Sequence, residues 1–337
     1  LTTFIYSFYG QRPVDIRGLE ALIKNPNFGP LAAFVMGNVY ASQNKFDKAH
    51  EFWSKSRDLH PGFIFNGLSL EQIKNASFNK EQVYLSLGEL YYLKGYYDVA
   101  VFQFEKAIEI NEKSFLANFL ISLALSKKGE GDHKVAPYLL SSIDMADTFF
   151  PSNYMLAEYY LKQKDIDKAI YYYRKAASSE PDQGVLIKLG LLYEGRGKMQ
   201  DAASIYQIFI DNYPQNFLGY NQLAWLYAKQ GIELNKALEL GLKANNIWPD
   251  NASVNDTIGW VYYHKKDYAL AEQYLNIANE ISKMNSSDIL FHLASVKYKT
   301  GDLKTAQKFL LKAISLSDSF ESKKSAKKLL EKIDASL

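Results

Sequence analysis

Two tryptophans, Trp225 and Trp260, stand 35 residues apart inside matching stretches, Leu223-Ala224-Trp225-Leu226-Tyr227 and Gly259-Trp260-Val261-Tyr262-Tyr263. Indole rings at a fixed spacing offer recognition rather than bond-making, because each presents a large apolar face with one polar N–H of the kind that anchors interfaces. The groups that would make or break bonds are scattered. Histidines lie at 50, 60, 133, 264 and 292; no two take the HExxH spacing of a zinc helix, and all five read as surface or groove residues. With no cysteine in the chain there is no thiolate nucleophile, disulfide, thiolate zinc site or iron–sulfur cluster. Neither GxGxxG nor GxxxxGK(S/T) occurs, and no spacing brings a serine, a histidine and an acid together. The sequence therefore assigns no catalytic residue, no metal ligand and no cofactor, and the chain reads as a non-enzyme.

The elements that must position the tryptophans follow from a recurrent spacing. Gly37 and Tyr40 are followed by Ala49 and Trp53; Gly88 and Tyr91 by Ala100, Phe104 and Ala107; Gly190 and Tyr193 by Ala202 and Tyr206; Gly259 and Tyr262 by Ala271, Leu275 and Ala278. Ala157, Ala224 and Ala294 start further copies, and residues 115–149 hold a degenerate one. Pro61, Pro181, Pro214 and Pro249 close several units. Small residues one turn before an aromatic predict two helices in close contact: the glycine or alanine of the first admits the second, whose aromatic or leucine is the knob.

This pattern resembles the tetratricopeptide repeat family over about residues 30–320. The resemblance implies an all-α, right-handed solenoid of about eight helix-turn-helix repeats, with capping helices at both ends. Residues 1–29 are expected to form an arm and a capping helix, with Asp15 as a candidate cap, and 321–337 a final capping helix with Ala326, Leu329, Leu330 and Ile333 on its buried side. An insertion at 64–80 interrupts the array, either a packed connector or a partner-binding loop. Leu1 in place of methionine is read as a removed leader or a fragment.

In the family, the concave wall is lined by the first helix of each repeat, and this register places Asn221, Trp225, Asp256, Trp260, Tyr263 and Phe291 there. The expected partner is another protein chain whose apolar side chain enters between the two tryptophans, with Asn221 and Asp256 bonding its backbone. Family members that hold an acidic chaperone tail use a lysine where this chain has Phe34, which disfavours that role although Asn38 fits. Thirty-nine Lys plus Arg against 37 Asp plus Glu leave a charge of +2, too balanced for a nucleic-acid partner, and no apolar run is long enough to span a bilayer. The implied function is a non-catalytic scaffold, adaptor or bridging subunit of a larger complex. The last three repeats also resemble bacterial cell-envelope proteins of exopolysaccharide export, which implies an extracytoplasmic location and, as the alternative, glycan binding through the groove aromatics.

Overall fold

The computed structural model describes residues 16–26, 29–43, 45–59, 80–93, 95–317 and 319–336. The arm at 1–15, the Asp15 cap and nearly all of the 64–80 insertion lie outside them. Among the described residues every regular element is a helix. They fall into two compact units, one ending at Tyr159 and the other beginning at Tyr160.

The first unit opens with α1 (Ile16–Ile23), followed by the hairpins α2 (Gly29–Ser42) with α3 (Phe46–Leu59), α4 (Lys80–Leu93) with α5 (Tyr97–Ile110), and α6 (Phe115–Lys128) with α7 (Asp132–Met145). It takes in the first turns of α8 (Phe150–Lys162). The second unit holds the end of α8 with α9 (Ile166–Ser179), then α10 (Gln183–Gly195) with α11 (Met199–Asn212), α12 (Phe217–Gln230) with α13 (Leu234–Ile247), α14 (Ala252–His264) with α15 (Tyr268–Ile281), and α16 (Ser287–Lys299) with α17 (Leu303–Leu316). It closes with α18 (Lys323–Asp334), packed on α17. Each unit is an all-α array of helix hairpins, as the family resemblance implies.

The small-residue rule is visible in atomic detail. A Cβ built on Gly37 would lie 2.2 Å from the Trp53 ring, on Gly88 2.3 Å from Phe104, on Gly190 2.3 Å from Tyr206, and on Gly259 2.6 Å from Leu275. In each case the knob lies 16 residues on, in the second helix of the same hairpin, and occupies the space a side chain would take. Phe104, Tyr206 and Leu275 are wholly buried, as are Ala100, Ala202 and Ala271 one turn earlier. Full burial of each large knob contributes about 1.5–3 kcal/mol, so the core is a line of such contacts, one per hairpin. The turns inside the hairpins need a left-handed residue; Gly197 supplies it at φ 71°, while Lys266 takes the same turn at φ 66° against the Cβ penalty.

Candidate partner-binding site

The site residues sit on three successive first helices of the second unit, each started by its own cap. Asn216 Oδ1 accepts from the Leu218 N–H at 3.0 Å to start α12, Asn251 Oδ1 from Val254 at 3.1 Å to start α14, and Ser286 Oγ from Ile289 at 3.4 Å to start α16. The helices lie side by side: α12 packs on α14, and α14 on α16. Trp225, Trp260 and Tyr263 are half-buried.

What stands between the tryptophans is a residue of the chain itself. The His292 ring, 1% exposed, stacks on Trp260 with centroids 4.1 Å apart and lies 5.6 Å from Trp225. Its Nδ1 is 2.7 Å from Asp256 Oδ1. Tyr263 lies parallel to Trp260 at 4.5 Å and 2°. Two rings that close and near-parallel cannot share one face of an indole without overlapping, so Tyr263 and His292 take opposite faces of Trp260. The expectation that a partner's side chain enters between the tryptophans is thereby corrected: the histidine of α16 already fills that space.

Four further expectations change. His292 is a core residue rather than a surface or groove one. Phe291 is 8% exposed and packs with Ala294, Ala306, Leu310, Ala326 and Ile333, because α17 and α18 close over it. Asp256 is 9% exposed and its Oδ1 is engaged by His292. Asn221 is 3% exposed; its Nδ2 donates to Ser253 Oγ at 3.3 Å, whereas its Oδ1 is buried without a hydrogen-bond partner. Sequence reasoning missed His292. Its only signal is its place 36 residues after Asp256, one repeat further along and nearly in the same register.

His264 borders the cluster, edge-on to Trp260 at 5.1 Å, with its Nε2 buried and unpartnered. Burial, and then the neighbouring His292, hold its imidazole below the ordinary value. A histidine whose folded value is depressed contributes stability that is present above the unfolded value and is lost as pH falls, because the unfolded chain then binds the proton more readily. The urea midpoint of the second unit is therefore expected to fall between about pH 7 and about pH 5, and to fall less in His264→Phe. Equal pH dependence in both proteins would remove His264 from the account. Among the described residues no group of three or more His, Asp or Glu is placed to hold a metal ion, and no helix is long and apolar enough to cross a membrane.

Comparison with known proteins adds to this geometry. Two family models described as tetratricopeptide repeat match the chain, one at residues 185–216 and the other at 81–114, 150–183 and 287–320. A TPR repeat-containing protein of Pseudomonas aeruginosa, PA4667, is 28% identical over 112 residues, which are 33% of this chain and 19% of that relative's length. The chain is also similar to TTC0263, a thermophilic TPR protein of Thermus thermophilus, at 20% identity and a TM-score of 0.46, over 53% of this chain and 98% of that one. Yeast Tom70 aligns at 17% identity and a TM-score of 0.44, over 91% of this chain and 64% of its own.

Proposed function

Because the chain is a tetratricopeptide-repeat protein, we propose that it works as a non-catalytic scaffold, adaptor or bridging subunit. In this reading it binds other protein chains through the first-helix face of its second unit and holds them in a larger assembly. The observation that carries the reading is the run of half-buried aromatic rings, Trp225, Trp260 and Tyr263, on adjacent helices. Interfaces draw most of their energy from such anchors. With His292 between the indoles, a partner docks on the parts of Trp225, Trp260 and Tyr263 left exposed rather than in a slot between the tryptophans. The rival reading, stacking on sugar rings, would have to use Trp225, because Tyr263 and His292 already stack on Trp260.

The test begins with a pull-down from the source organism read by mass spectrometry, followed by affinity measurements with the captured chain. Trp225→Ala should weaken binding by more than about 1 kcal/mol while leaving melting nearly unchanged. Trp260→Ala should lower the melting temperature as well, because it removes the ring on which Tyr263 and His292 stack. A Trp225→Ala protein that binds its partner normally would move the interface away from this face. Retention on polysaccharide without stoichiometric protein partners would favour the rival.

A further inference from the structure

The joint between α17 and α18 is held at three places inside the second unit. Phe320 packs on the cluster around Phe291, Ala294 and Leu310, on which Trp260 also packs. The Ser322 N–H donates to Asp288 Oδ1 at 3.1 Å, in the first turn of α16. Between these two residues, Glu321 pairs with Lys229 in the last turn of α12, 92 residues earlier in the chain. Each hairpin reverses the chain, so α12, α14 and α16 run the same way. A line from the start of α16 to the end of α12 therefore crosses the middle of α14, where Asp256 and Trp260 lie.

We infer that residues 319–322 form a strap across the first-helix face of α14, latched by the Lys229–Glu321 pair, and that a chain docking on Trp225 and Trp260 must open it. The inference rests on the proposed groove only for the consequence of opening; the strap itself is a contact within the chain. Glu194, in the last turn of α10, lies close enough to act on both latch charges, but its carboxyl is held above its ordinary value by burial and is engaged by the Tyr206 hydroxyl at 2.6 Å. The Lys229 ammonium donates to Glu321. Both latch side chains are substantially exposed, 40% and 51%, so the pair shifts the closed population only a few-fold and weakens with salt. A strap of that strength closes the groove at rest and yields to a partner.

Collisional quenching of tryptophan fluorescence by acrylamide reads the strap without any partner. A Trp248→Phe background removes the half-exposed indole, and Trp53, 4% exposed, adds little quenching. Glu321→Lys should raise the quenching constant about twofold, and Lys229→Glu combined with Glu321→Lys should return it to the parent value. Should Glu321→Lys lose helix in circular dichroism, Glu321→Gln, which removes only the charge, must show the rise. An unchanged constant in the folded single variant, or a charge swap that stays open, overturns the strap. Normal partner binding by Trp225→Ala would instead overturn the proposed groove and leave the quenching result standing.

Discussion

Gly190→Leu should destabilise the second unit by about 3 kcal/mol, at the upper end of what overpacking a core costs. A Cβ at this position would stand 2.3, 2.6 and 3.0 Å from three atoms of the Tyr206 ring. That ring is wholly buried, and its hydroxyl donates to Glu194, so it cannot slide aside without losing the bond. The two helices of the hairpin must therefore separate, and the contacts of Ala202 with α10 open along with them. Gly190→Ala should cost less, about 1 kcal/mol, because the gain in helix propensity over glycine offsets part of the clash. Urea unfolding followed by circular dichroism measures both. A leucine variant with the parent midpoint would show that the hairpin repacks freely and that the small-residue rule is not what holds it.

The second large effect is expected at the Asp256–His292 pair, the polar contact that ties α14 to α16 beneath the tryptophans. Asp256→Ala leaves the His292 Nδ1 buried with no partner. The loss is about 1–3 kcal/mol for a neutral buried hydrogen bond and about 3–5 kcal/mol for a buried ion pair. His292→Phe keeps a ring against Trp260 but strands the carboxylate, and should cost a similar amount. With both partners made apolar, as in Asp256→Leu with His292→Phe, neither polar group remains to be satisfied and the pair should recover much of the loss. The double-mutant cycle should then give a coupling above about 1 kcal/mol. Additive losses would mean that the two groups merely lie near each other.

These expectations divide between what the chain spells out locally and what its packing adds. The hairpins were legible because close helix contact demands a small residue facing a large one, and the 16-residue interval from Gly88 to Phe104 or from Gly259 to Leu275 repeats that demand in plain view. The placing of Trp225, Trp260 and Tyr263 on one face was legible for the same reason, since helical periodicity fixes which side of its own helix a residue occupies.

Periodicity says nothing about what a different helix brings to that side. Whether the space between two indoles is open or filled depends on the rotation of α16 against α14, which decides that His292 points inward to Asp256 and Trp260. In the same way, Phe291 holds a groove register position yet is buried, because α17 and α18 close around it. Glu321 meets Lys229 only because the stacking of two intervening hairpins returns the chain to α12. The sequence alone thus determined the repeat, the hairpin and the face on which the aromatics lie, each set by contacts within about 34 residues. The tertiary structure decided which of those aromatics are free, because that depends on contacts between repeats, set by angles and distances that no single repeat encodes.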